Sequence, residues 1–304
     1  MMSRRLCAAI LLQALLLLLS MPYLVAAGTL TFAAIASICV ALLLINASVV
    51  VLAYAALRGY AAAFGRQCLL AGASYWRCTI LELLALFVTF LVLQPFERLW
   101  MGKDTVGKLP LGQTPVLLVH GYLCNRGLWW WMRRRLRSRN VAVATINLEP
   151  PLADLNRLAL QLGQRIDALL QETGAAKLVL ITHSMGGLVS RAYLQANGAA
   201  RVDRLLMLAA PTHGTHVARL SFGANARQMR PKSRWLRSLN TQPSPSIPIC
   251  NFWSRGDEIL LPPDTAHMEG VPEFVFQDLG HIAMVFSSRV LHRLEAELAR
   301  ARYQ

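Results

Sequence analysis

The 304-residue sequence predicts an α/β fold, a doubly covered and mostly parallel sheet over residues 115–304, preceded by about three transmembrane helices. Three observations carry that expectation. Short apolar runs alternate with longer helix-like stretches in the C-terminal two thirds, and strand–helix alternation builds parallel sheets with helices on both faces. A serine stands between one apolar run and the helix-like stretch that follows it. At 55% hydrophobic the chain is too apolar for a single soluble domain, and the excess is all N-terminal.

The N-terminal hundred residues form the predicted anchor, with spans at about 6–27, 29–57 and 79–96. The first two exceed the roughly 20 residues that cross a bilayer. The third reaches that length only with Gln94 to Phe96 or the turn around Glu82 included. Apolarity all round each segment argues against ordinary core helices. Glu82 is expected at the membrane interface, the alternative being a functional carboxylate inside the membrane. Arg4 and Arg5 precede the first segment, and Arg58, Arg66 and Arg77 separate the second from the third. The excess of positive charge then places those flanks in the cytoplasm and the C-terminal domain outside, although Arg98, Lys103 and Lys108 pull the other way. A signal peptide ending near Val25-Ala26-Ala27 fits the first segment equally well and leaves the same domain outside.

Residues 101–114, rich in Gly, Lys and Pro, read as a linker. Beyond it, strands are predicted near 115–120, 141–147, 177–183, 203–209, 247–253 and 273–277. Helices are predicted near 126–138, 152–172, 186–197 and 282–302. About 200 residues suffice for one core. No long insertion interrupts the alternation, so any lid comes from roughly 212–245.

The apolar run Leu178-Val179-Leu180-Ile181 leads into Thr182-His183-Ser184-Met185-Gly186-Gly187 and then a helix. This arrangement resembles the nucleophile elbow of the α/β-hydrolases, a sharp turn that holds a serine hydroxyl clear of the sheet. Gly186 supplies the small residue needed where strand and helix pack closely; Thr182 stands where the usual G-x-S-x-G pattern has its first glycine. The fold's order of serine, acid and histidine then directs the search. Ile247 to Trp253 reads as a strand running into Ser254-Arg255-Gly256-Asp257, and Asp257 is the expected acid. Glu258 competes one step on, but the Gly256-Asp257 turn aims the shorter carboxylate inward. Of the later histidines, His267 lies too near the acid's own strand and His292 falls on a charged helix, which leaves His281 as the base. Pro115 to Val119 ends in His120-Gly121-Tyr122, so the N–H groups of Tyr122 and Met185 form the expected oxyanion hole, with His120 orienting the loop.

With these elements in order, residues 108–300 resemble a bacterial lipase of the α/β-hydrolase superfamily, similar to the minimal lipases and to GPI inositol-deacylase-like lipase domains. Ala210-Pro211-Thr212-His213-Gly214-Thr215 resembles the P-x-x-G-[ST] segment of those lipases, and Ser233 to Asn240 resembles the short helix after it. The resemblance implies cleavage of lipid or acyl esters through an acyl-serine, by a multi-pass protein of the bacterial inner or plasma membrane with its catalytic domain extracytoplasmic. Acyl transfer and thioester cleavage use the same residues, because a fold does not fix the acceptor. A non-catalytic binding protein is the remaining class; it would lack a triad member, and none is missing.

No cofactor or metal is expected, since there is no C-x-x-C pair and no histidine cluster of zinc spacing. A net charge of +15 without a nucleic-acid motif does not imply a nucleic-acid partner. The densest basic run, Trp129 to Arg139, fits either an anionic membrane surface or a packing helix with a solvated arginine face. The six cysteines read as small hydrophobes, a Cys68–Cys78 pair being the one alternative.

Overall fold

The computed structural model describes residues 48, 51–52, 54–60, 62, 72–243 and 245–301. The predicted span 6–27 and most of 29–57 lie outside them.

Six strands form one wholly parallel sheet in the order β2-β1-β3-β4-β5-β6. They are β1 (Val116–Val119), β2 (Val143–Ile146), β3 (Leu178–His183), β4 (Val202–Leu208), β5 (Ile249–Ser254) and β6 (Glu273–Phe276). All six predicted strands are present. Alternate residues of each strand face opposite sides, so the sheet carries two cores. Leu117, Leu180 and Leu205 pack with the helices Leu155–Thr173 and Met185–Asn197. Val116, Val179 and Leu206 pack with the helices Trp130–Arg137 and Ser288–Ala301. Continuous apolar strands are the signature of a sheet buried on both faces.

The basic run proves to be a packing helix. Trp129, Met132 and Leu136 are fully buried in the second core, whereas Arg134, Arg135, Arg137 and Arg139 face solvent. Arg133 is buried against Asp104 at 3.0 Å and donates to the Met101 carbonyl at 2.6 Å.

The third apolar segment forms α1 (Gly72–Phe87), continued by π-helical turns over Val88–Leu93 and followed by α2 (Glu97–Met101). It is the one helix among the described residues that is long and apolar enough to cross a membrane. It does not stand apart from the catalytic domain. Ala85 lies in the second core, Cys78 Sγ approaches the Gly256 carbonyl at 3.9 Å, and Asn125 donates to the Gln94 carbonyl at 2.9 Å. Cys78 is buried; Cys68, its suggested partner, lies outside the described residues. Glu82, expected at a membrane interface, is wholly buried against the loop that carries His281. The opposite face presents Trp76, Ile80 and Leu84, each more than half exposed.

The predicted linker is likewise held down. Asp104 accepts from the Thr145 N–H at 2.6 Å and hydroxyl at 2.8 Å, and Glu172 accepts from the Val106 N–H at 2.5 Å.

One helix boundary differs. The helix expected over 282–302 begins only at Ser288, and Ala283–Phe286 forms a separate 3-10 turn. The N–H groups of Ile282 and Ala283 are donated to Glu82.

Candidate active site

The helix Met185–Asn197 starts directly on β3, and Ser184 sits in the turn with φ +53°, ψ −124°. A non-glycine residue at positive φ is strained and persists only where its surroundings hold it. Here the Ser184 N–H donates to the Leu208 carbonyl at 2.8 Å, pinning the turn to β4. Two glycines make the turn possible. A Cβ on Gly186 would lie 2.6 Å from the Val119 carbonyl oxygen and 2.8 Å from that of His120, while one on Gly121 would lie 2.9 Å from Ser184 Cβ. Because the atoms opposing position 186 are backbone, Gly186→Ala should destabilise the protein by about 1–3 kcal/mol. A drop in melting temperature tests this; an unchanged one would show that the helix packs less closely than described.

Asp257 and His281 meet at 2.8 Å, Oδ2 to Nδ1, and both are buried. The other carboxylate oxygen of Asp257 accepts from the N–H groups of Ile259 (2.9 Å) and Leu260 (2.8 Å), so the group is fixed from both ends. Burial lowers the pKa of His281, but the charge and hydrogen bond of Asp257, helped by the charge of Glu82, outweigh it and the net displacement is upward. Glu258 turns away from His281 into the interior. Burial raises its pKa well above the usual value, and the charges of Glu82 and Asp257 raise it further. Of the two neighbouring carboxyls the structure therefore brings Asp257 to the histidine.

Two residues to which sequence reasoning gave no role, and one that it placed at a membrane interface, support this pair. Ser254 Oγ accepts from the Gly256 and Leu279 N–H groups, both at 3.1 Å, and so ties the acid's loop to the histidine's. His183 lies 4.7 Å from His281, ring to ring, and its Nε2 meets the His281 carbonyl at 3.1 Å. Burial and the neighbouring His281 hold the His183 pKa well below its usual value, so the ring is neutral and Nε2 carries the donated hydrogen. The third is Glu82. Single polar residues at the ends of apolar runs offer no periodicity by which to find them.

His120 is fully buried with a pKa lowered to about 4 by burial. Its Nε2 accepts from the Leu148 N–H at 3.0 Å and its Nδ1 meets the Gly121 carbonyl at 2.9 Å, which fits the expected loop-orienting role. Tyr122 follows on the same loop, and its hydroxyl both donates to Phe222 O (2.7 Å) and accepts from Phe222 N (3.1 Å). Met185 opens its helix, where the first N–H groups have no carbonyl within the helix to donate to. Met185 directly follows Ser184 in the chain, and Tyr122 follows Gly121, whose added Cβ would lie 2.9 Å from Ser184 Cβ.

Ser184, His183 and His281 line one cavity of about 430 Å³ at the C-terminal end of the sheet. Its other walls are mostly apolar: Val217, Ala218, Leu220, Met229, Ile259, Leu260 and Ile282 from the catalytic domain, and Ala56, Leu57, Leu86 and Phe90 from the N-terminal segment. A larger groove of about 910 Å³ opens among Arg204, Glu273, Glu297 and Arg300 and contains none of the expected site residues. It lies at the N-terminal ends of β5 and β6, whereas open α/β sheets bind ligands beyond the carboxyl ends of their strands. No cluster of metal-ligating side chains occurs among the described residues.

The chain is similar in structure to the mature form of lipase BlEst2 from Bacillus licheniformis, with a TM-score of 0.56 at 17% identity over 65% of this chain and 96% of that one. It is also similar to lipase B from Aspergillus fumigatus, with a TM-score of 0.54 at 17% identity over 65% of this chain and 55% of that one. Identity this low establishes the shared fold alone. No curated protein matches the chain. The sequence profile of the Alpha/beta hydrolase family matches residues 116–301, a stretch that contains every strand, the serine turn and the Asp257–His281 pair. The chain belongs to the alpha/beta hydrolase family.

Proposed function

We propose that this protein is a membrane-bound serine hydrolase that cleaves carboxylic esters carrying a medium or long acyl chain. The observation that carries the proposal is the combination, in one cavity, of a strained serine, an imidazole fixed by a buried carboxylate, and walls that are almost wholly apolar. In this reading His281 takes the proton of Ser184 through Nε2 as the hydroxyl attacks the ester carbonyl. Asp257 keeps the other ring hydrogen on Nδ1 and supports the positive charge that develops. The N–H groups of Tyr122 and Met185 receive the oxyanion, each being worth about 3 kcal/mol to the transition state. His281 then returns the proton to the leaving alcohol, and water repeats the sequence on the acyl-serine.

An apolar cavity with few polar groups selects for hydrocarbon rather than for a soluble, hydrogen-bonding acyl group. The uncharged N-terminal segments and the apolar outer face of α1 support a location in the membrane, with the catalytic domain extracytoplasmic as the charged flanks suggest. Lipid or acyl esters are then presented at the cavity mouth, where Leu123, Leu220 and Phe222 are exposed.

The test is turnover of p-nitrophenyl esters of increasing chain length by the full-length protein, together with Leu86→Trp, which narrows the cavity from the N-terminal side. Turnover should rise with chain length. The substitution should lower the long-chain rate about tenfold relative to the short-chain rate, since one methylene's misfit is worth about 1–3 kcal/mol. A wild-type preference for acetate or butyrate would replace the lipid reading with that of a general esterase.

A further inference from the structure

The catalytic loop receives a carboxylate from outside the family domain. Glu82 lies on α1, more than thirty residues before the matched region begins at 116. Its two oxygens accept from the N–H groups of Ile282 (2.9 Å) and Ala283 (2.7 Å), the two residues immediately after His281. The approach is close, since a Cβ on Gly280, the residue immediately before His281, would fall on the Glu82 carboxyl. Glu82 is fully buried, so no water competes for these hydrogen bonds.

The same helix face continues into the cavity. Leu86 and Phe90, one and two turns on from Glu82, line it together with His281 and Ile282. Around Glu82 the other ionisable groups are His281, Glu258 and Tyr54, with Arg58 and Asp257 beyond them. Burial and the charges of Glu82 and Asp257 raise the pKa of Glu258.

We propose that Glu82 is a positioning residue for the catalytic base: it fixes the backbone on which His281 stands. This rests on the reading of His281 as the base. It makes the N-terminal helix part of the active centre, and it means that the catalytic domain alone, cut near Lys108, forms an incomplete site.

The experiment uses the full-length protein in detergent with a short p-nitrophenyl ester, comparing wild type, Glu82→Gln, Glu258→Gln and the double variant. Gln at 82 keeps the volume and one acceptor but turns an N–H toward a second N–H. We expect kcat to fall about tenfold or more, because small displacements of catalytic groups cost up to about a hundredfold, with KM within about twofold. A merely structural loss would leave the pH profile in place. Here the sign is fixed: the base must be neutral, so kcat/KM rises with pH through the pKa of His281. Removing the Glu82 charge makes protonation of His281 harder, so the acid limb moves to lower pH, by about half a pH unit or more. Glu258→Gln leaves the limb where it is. The double variant shows at least the acid-side displacement of Glu82→Gln, because the charge then has no second carboxyl to occupy.

An active wild type whose kcat and acid limb are both unmoved by Glu82→Gln overturns the positioning role. A wild type that turns over no ester and takes no fluorophosphonate label overturns instead the hydrolase reading on which it rests. Should the Gln variants melt early, Glu82→Asp, which keeps the charge but shortens its reach, must lower kcat while leaving the limb near its wild-type pH; a displaced limb in that variant would also count against the proposal.

Discussion

Ser184→Ala should abolish ester turnover and labelling by a fluorophosphonate probe, with a loss on the order of 10⁴- to 10⁶-fold. The hydroxyl is the atom at which the acyl-enzyme forms, and among the described residues the one other serine lining the cavity with His281 is Ser221, in the loop after the 3-10 turn His216–Arg219. Alanine suffers the same strain as serine at φ +53°, and the turn keeps its hydrogen bond from the residue 184 N–H to Leu208 O. Folding should therefore be preserved, with stability within about 1 kcal/mol of wild type. Labelling that survived in a folded Ser184→Ala protein would move the nucleophile to another residue and remove the mechanism proposed above.

Asp257→Asn should cost on the order of 10⁴ in kcat. The asparagine can still accept from the Ile259 and Leu260 N–H groups through Oδ1, so the loop keeps its shape. The amide NH₂ then faces His281 Nδ1 at the position of the present 2.8 Å contact, donor against donor. The ring is driven to the tautomer with hydrogen on Nε2, which cannot take the serine proton. Glu258→Gln should be far milder, because the hydrogen bond to the His281 ring is made by Asp257. If steady-state rates showed Glu258→Gln to be the more damaging of the two, the acid would have to be reassigned and the position of the acid loop with it.

Much of the fold was legible because it follows from local pattern. Leu178 to Ile181 is apolar at every position, as a strand buried on both faces must be, and the six predicted strands appear in the predicted places. The turn at Ser184 was legible for a different reason: a strand, a turn and a helix packed this tightly leave room only for glycine at 186, and that steric demand is written in the chain. The choice of Asp257 over Glu258 came from the Gly-Asp turn alone, and the contact with His281 agrees with it.

Other features belong to the tertiary structure, because they depend on groups distant in sequence meeting in an interior. Trp129 to Arg139 has the composition of a membrane-binding helix; burial of Trp129 and the pairing of Arg133 with Asp104 decide that it packs. An uncharged run containing one glutamate reads as a span with its acid at the interface. Only the docked helix reveals that Glu82 meets two N–H groups some 200 positions further along the chain. Periodicity reports how apolar a face is, and it is silent about which polar atom waits on the surface opposite. A buried carboxylate has to find donors or lose its charge, and where those donors lie is decided by the packing of α1 on the sheet's second core.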